Sequence, residues 1–195
     1  MHRNTGSPTN TSFTTEIFNI GIATKNIRCS DINGDGLPDI IISQGGTQGD
    51  RIFLYRNESS TGTLSFSLAQ TLLVDGNNAR IPLVHDLDAD GRPEIVVTNE
   101  SNNRISIFKN NSTGNDFGFS NAVTTLTMQN AGSSAGIGIE DLDNDNLPEI
   151  IINPNFESNL IIFKNNSSTG TLRFQELDPI VLGQSLVQLR LADVD

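Results

Sequence analysis

Carboxylates at alternating positions of a tight loop are the chemistry of a hard-cation site, and this chain carries three such loops. They read Asp31-Ile-Asn-Gly-Asp-Gly-Leu-Pro-Asp39, Asp86-Leu-Asp-Ala-Asp-Gly-Arg-Pro-Glu94 and Asp141-Leu-Asp-Asn-Asp-Asn-Leu-Pro-Glu149. Their first aspartates are 55 residues apart in both intervals. Asp193-Val194-Asp195 opens a fourth copy where the sequence stops.

Calcium takes six to eight oxygens at about 2.3–2.6 Å. Loop positions 1, 3 and 5 can converge on one such ion. They are Asp31, Asn33 and Asp35, then Asp86, Asp88 and Asp90, then Asp141, Asp143 and Asp145. Position 6 (Gly36, Gly91, Asn146) must turn at positive φ, which Gly and Asn tolerate best. Position 7 (Leu37, Arg92, Leu147) offers a backbone carbonyl. Position 9 (Asp39, Glu94, Glu149) closes the set with a carboxylate. Proline at position 8 fixes φ and favours an extended exit. The pattern predicts about three complete calcium sites, with Asp193 and Asp195 as the start of another. An EF-hand would need a bidentate Glu at position 12 and flanking helices. Position 12 is Ile42, Val97 or Ile152, inside short β-branched runs that read as buried strands. Asx-turns alone account for one acidic loop but not for clustered carboxylates recurring three times.

Each unit has four strand-like segments to position its loop. An entering strand covers 26–30, 81–85 and 137–140, with 187–192 as a further copy. The apolar runs Ile40-Ile41-Ile42, Ile95-Val96-Val97 and Ile150-Ile151-Ile152 leave the loop. A third strand follows at 51–56, 104–109 and 159–164. Polar turns begin at Asn57, Asn110 and Asn165, and a fourth strand is expected near Phe66, Phe119 and Phe174. No helical period is evident. Four short antiparallel strands per repeat of about 40–55 residues predict an all-β fold built of β-propeller blades. Continuous apolar middle strands fit blades covered on both faces.

The Asp-x-Asp/Asn-x-Asp-Gly/Asn-x-Pro-Asp/Glu loop with its three β-branched residues resembles the FG-GAP/VCBS repeat family, which includes integrin α-chain propellers, fungal lectins and bacterial secreted proteins. The resemblance covers nearly the whole chain. It implies a seven-bladed propeller in the intact domain, calcium loops between the first and second strands of a blade, and ligands at the positions named above. The departures are Asn33 for a carboxylate, Asn146 for glycine, and Glu94 and Glu149 for aspartate.

On this reading the chain is a partial propeller: 1–25 the tail of a preceding repeat, 26–80, 81–134 and 135–185 three complete repeats, and 186–195 the start of a fourth. Propellers close with four to eight blades, so the remaining blades are expected in a larger chain, or else in an open array or a ring completed by self-association. The three loops hold 11 of the 23 acidic residues in a chain of net charge −11. That acidity argues against a nucleic-acid partner. No apolar run is long enough to span a membrane. The single cysteine, Cys29, permits no intrachain disulfide and is expected to be a small buried hydrophobe. Exposed calcium loops need millimolar calcium, which places the protein outside the cell or on its surface.

The loops opposite the calcium face differ between units: 44–50, 99–103 and 153–159, with connectors 75–79 and 130–135. Variable loops on a fixed scaffold suit recognition of a glycan or protein, and Phe156 is their one aromatic. The expectation is a non-catalytic adhesion or carbohydrate-binding module. The alternatives are an accessory propeller of a secreted polysaccharide lyase or hydrolase, or a structural spacer. Of the two histidines, His2 and His85, neither joins a nucleophile or zinc-ligand set.

Overall fold

In a computed structural model, the structure describes residues 2–4, 13–15, 17–46, 49–76, 78–99, 102–120, 124–128, 134–154, 157–184, 189 and 191–192. A short hairpin, β1 (His2–Asn4) with β2 (Phe13–Thr15), comes first. Three antiparallel four-stranded sheets follow in chain order. The first is β3 (Thr24–Ser30), β4 (Asp39–Gln44), β5 (Arg51–Asn57) and β6 (Phe66–Leu73). The second is β7 (Leu83–His85), β8 (Glu94–Thr98), β9 (Arg104–Phe108) and β10 (Thr124–Thr127). The third is β11 (Ser134–Glu140), β12 (Glu149–Pro154), β13 (Asn159–Asn165) and β14 (Phe174–Glu176). A two-residue strand, β15 (Ile180–Val181), pairs with the other end of β13. Each acidic loop joins the first two strands of its sheet.

The isoleucine-rich runs form the buried second strands because both faces of each sheet are covered. Along β8, Ile95 and Val97 pack toward the first sheet, against Ile41, Ile52, Leu54 and Leu72. Val96, between them, turns the other way and joins Ile150, Ile152, Ile161 and Phe163 of the third sheet. On the outer face of the first sheet, Ile40, Ile42 and Phe53 are capped by Ile20 and Ile22. Phe18 packs edge-on against Phe66, with ring centroids 5.5 Å apart.

The polar turns after each third strand tie the sheets together. Asn110 is fully buried. Its Nδ2 donates to the Pro93 carbonyl of its own unit (2.9 Å) and to the Ile32 carbonyl of the preceding loop (2.8 Å), while Oδ1 accepts from Ser112 N–H (2.9 Å). Asn165 repeats the arrangement with Pro148 (3.0 Å), Leu87 (2.8 Å) and Ser167 (3.0 Å). At the opposite end Asp75, in the connector between the first two sheets, holds Arg104 through both carboxylate oxygens at 2.9 and 2.7 Å. Its backbone carbonyl accepts from Asn99 Nδ2 at 2.8 Å.

Two expectations need correction. The second unit's fourth strand begins at Thr124, not near Phe119. Phe119 makes a single bridge to Asn110. Its N–H and carbonyl are taken by the Gln70 side chain of the preceding sheet, at 3.2 and 2.8 Å, which removes them from a strand ladder. Cys29 is exposed rather than buried. It lines an open cavity of about 410 Å3 between the three first strands, with Val84, Ile139, His85 and Glu140. The expected stacking residue Phe156 lies outside the described residues.

Removing the Asn110 carboxamide orphans one buried and one half-buried carbonyl and one N–H, and each orphaned buried group costs about 1–3 kcal/mol. We expect Asn110→Ala to destabilise the fold by about 3 kcal/mol in urea unfolding. Among the described residues, the Asn57 side chain bonds only within its own unit, to Pro38 and Ser59. Asn57→Ala should therefore cost clearly less, about 1–2 kcal/mol.

Candidate metal centre

The first aspartate builds each loop. Asp31 Oδ2 accepts from Gly36 N–H at 2.8 Å and Oδ1 from Asp35 N–H at 3.2 Å. Asp86 does the same with Gly91 (2.8 Å) and Asp90 (3.2 Å), and Asp141 with Asn146 (2.8 Å) and Asp145 (3.2 Å). The fifth-position carboxylate accepts from the seventh-position N–H: Leu37 to Asp35 at 2.8 Å, Arg92 to Asp90 at 2.9 Å, Leu147 to Asp145 at 2.9 Å. Position 6 has the expected positive φ at Gly36, Gly91 and Asn146 (86°, 82° and 68°). Position 4 has it too, at Gly34, Ala89 and Asn144 (81°, 55° and 61°). That second turn was not read from the sequence, although Gly and Asn in two of three copies are its signal.

The ninth-position carboxylates, Asp39, Glu94 and Glu149, are buried at the base of the loops. Each accepts the second-position N–H: Ile32 to Asp39 (3.1 Å), Leu87 to Glu94 (2.9 Å) and Leu142 to Glu149 (2.9 Å). Each also accepts the N–H of the turn asparagine: Asn57 (2.9 Å), Asn110 (3.3 Å) and Asn165 (3.4 Å). Burial raises Asp39 above the ordinary aspartate range and pushes Glu94 up to about 7, against the lowering effect of those N–H donors.

Among the described residues, three carboxylates close on a point in two loops. Asp86, Asp88 and Asp90 form one cluster, and Asp141, Asp143 and Glu149 the other, with oxygens within 4.8 Å of one another. That spread is about twice a calcium–oxygen distance, so one ion can touch all three. Asp88 is fully buried and its Oδ1 has no hydrogen-bond partner. A buried carboxylate oxygen left bare is costly unless a cation meets it. The first loop differs. Asn33 Nδ2 donates to Asp35 Oδ2 (3.0 Å) and to the Asn115 carbonyl of the next unit (3.1 Å), so an amide stands where the other loops have a carboxylate. Asp193 and Asp195 lie outside the described residues.

A lysine ammonium faces each complete cluster. Lys109 Nζ bonds Asp88 Oδ2 and lies 3.4 Å from Asp90 Oδ2. Lys164 Nζ bonds Asp143 Oδ2 and lies 2.8 Å from Asp145 Oδ2 and 3.1 Å from Glu149 Oε1. Burial works against the Lys109 charge, but its bond to Asp88 and the surrounding carboxylates hold its pKa above the usual value. Lys164 is raised by its bonds to Asp143 and Asp145, and Asp145 is lowered by the same lysine. Asp90 is lowered despite its desolvation, through the backbone and side chain of Arg92 and the charge of Lys109. Both lysines follow the third-position aspartate by 21 residues, a spacing that lies outside the nine-residue loop motif. Their place is set by the third strand, folded back beside it.

A family model of FG-GAP-like repeats matches residues 31–97 and 86–152. The chain belongs to the FG-GAP-like repeat family. Each match runs from the first aspartate of one loop to the end of the apolar strand after the next. The first matched span thus holds one loop, the last three strands of its sheet, and the first strand, loop and second strand of the next. No curated protein matches the chain.

Ala89 pays the left-handed penalty of about 1–2 kcal/mol, against roughly 0.4–1 kcal/mol of unfolded-state entropy lost on Gly→Ala exchange in reverse. Ala89→Gly should be neutral to stabilising by up to about 1 kcal/mol, read as a rise in Tm. Glu94 supplies a pH test. Its folded carboxyl, at about 7, lies above the ordinary 4.5, so the folded state holds the proton between those values. Its contribution is fully present below the ordinary value and is lost as pH rises through the folded one. In chelator, urea unfolding should show that decline, and Glu94→Gln should flatten it.

Proposed function

We propose that this chain is a calcium-stabilised, non-catalytic segment of an extracellular β-propeller, presenting the loops opposite its acidic face to a glycan or protein ligand. The observation that carries the calcium reading is the second loop: three carboxylates converge and the buried Oδ1 of Asp88 is left without a protein partner. Asp86, Asp88 and Asp90 would hold one ion, and Asp141, Asp143, Asp145 and Glu149 a second. The first loop, with Asp31 and Asp35 but an amide at Asn33, would hold its ion more weakly. Calcium supplies positive charge and oxygen coordination that remove carboxylate repulsion.

Three sheets of four antiparallel strands, packed face to face in chain order, support the propeller reading. The family and the millimolar calcium that such loops require support an extracellular setting. Among the described residues no helix is long and apolar enough to cross a membrane. The non-catalytic reading rests on where the perturbed groups lie. Among the described residues, every titratable group with a resolved shift belongs to an acidic loop or to a lysine facing one. His85 is exposed, with Nδ1 3.2 Å from the Asp86 carbonyl.

For a dissociation constant near 10⁻⁴ M and ~1–2 mM calcium, each occupied site would add roughly 1.4–1.8 kcal/mol. The test is thermal unfolding in 2 mM calcium chloride and in excess EDTA, beside a variant with Asp35, Asp90 and Asp145 changed to Ala. A calcium-dependent rise in Tm of several degrees, lost in the variant, is expected. Identical melts in calcium and EDTA would overturn the metal reading.

A further inference from the structure

The cation seat of the second and third loops is already contested from within the chain. Lys109 immediately precedes Asn110, and Lys164 immediately precedes Asn165, the two asparagines locked into the preceding loop by their carboxamides. That anchor fixes where each lysine stem starts. From it each ammonium reaches the third- and fifth-position carboxylates of its own loop, 21 and 19 residues back in both units. The corresponding residue of the first unit, Arg56, turns elsewhere. Its guanidinium pairs with Asp116 at 3.3 Å and lies 5.4 Å from the Phe117 ring centroid. The seat has room for one cation, because its carboxylate oxygens lie within 4.8 Å of one another. An ammonium in hydrogen-bond contact with two carboxylates of the seat competes with an ion that must approach the same side chains to about 2.3–2.6 Å. The seat also has an unmet need, since the fully buried Asp88 has no partner for Oδ1 while Lys109 engages Oδ2.

We propose that Lys109 and Lys164 are tethered counter-cations that a divalent metal must displace, so that they set the metal concentration at which the second and third loops load. This rests on the calcium reading above and adds residues to it. The ammonium offsets one carboxylate charge of the cluster while metal is scarce, keeping the loop closed. When calcium enters, the lysine swings to solvent and the charge of the site rises by one rather than two. The first loop, without this device, loads independently of it.

The chain contains three lysines, Lys25, Lys109 and Lys164, so the unmodified protein can be tested directly. Lysine acylation by an N-hydroxysuccinimide ester, followed by mass spectrometry, is run in EDTA and in 2 mM calcium chloride, with Lys25 as the internal reference. Relative to Lys25, Lys109 and Lys164 should react slowly in EDTA and at least about tenfold faster in calcium. Calcium titration by calorimetry is then compared between the wild type and the Lys109→Met/Lys164→Met variant. The variant should bind calcium about tenfold more tightly at two sites and melt lower in EDTA. A merely structural lysine would lower the melt equally in both conditions and leave affinity unchanged or weaker. Unchanged acylation on adding calcium, in a wild type that binds it, overturns the exchange alone. A wild type with no calcium binding overturns the calcium reading and the exchange with it.

Discussion

The buried carboxylate at the ninth loop position is the point through which the rest of the structure is connected. Placing Asp39, Glu94 or Glu149 out of water is unfavourable unless its oxygens are met by donors. The fold meets them with two backbone N–H groups, one from the loop's second residue and one from the asparagine at or just beyond the end of the third strand. Loop and third strand are therefore held at a fixed separation. In the second and third units that same asparagine reaches the preceding loop with its side chain. A local charge is thereby wired into the contact between neighbouring sheets. Any change in the electrostatics of the loop is felt at the sheet interface.

Packing and electrostatics divide the work along each sheet. The middle is apolar and faces both neighbours, with alternate residues of a single strand serving opposite interfaces: Ile41 on one side, Ile40 and Ile42 on the other. The ends are polar and specific. At the loop end the asparagine carboxamides align successive units; at the far end Asp75 clamps Arg104 and accepts from Asn99. Non-directional burial supplies the driving force, while the directional bonds at either end fix the register between sheets. The first unit, whose loop has an amide at Asn33 and whose Arg56 is drawn to Asp116 and Phe117, departs from the other two in charge but keeps the same backbone hydrogen bonds.

Strand identity was legible where side-chain type and backbone need coincide. Three β-branched residues after each proline could only be buried strand, and Gly or Asn at the sixth position announced a left-handed turn. Legibility failed where a distant group captured the backbone. Phe119 looks like a strand start, as Phe66 and Phe174 are, but the Gln70 side chain takes both its backbone groups. Cys29 sits in an apolar register, yet it is exposed and borders an open cavity between first strands.

By itself the sequence determined the unit: a nine-residue acidic loop, an extended exit enforced by proline, an apolar strand, a returning strand and a polar turn. Those are consequences of local geometry and short-range charge, which spacing within one repeat specifies. Tertiary structure alone decided what each charged group meets. It placed Lys109 and Lys164 over the carboxylates of their loops, put Asn110 and Asn165 across to a carbonyl 78 residues away, and left one buried oxygen of Asp88 bare. The reason is physical. Hydrogen-bond partners and counter-charges are set by distances between chain segments, and those distances exist only once the sheets have packed.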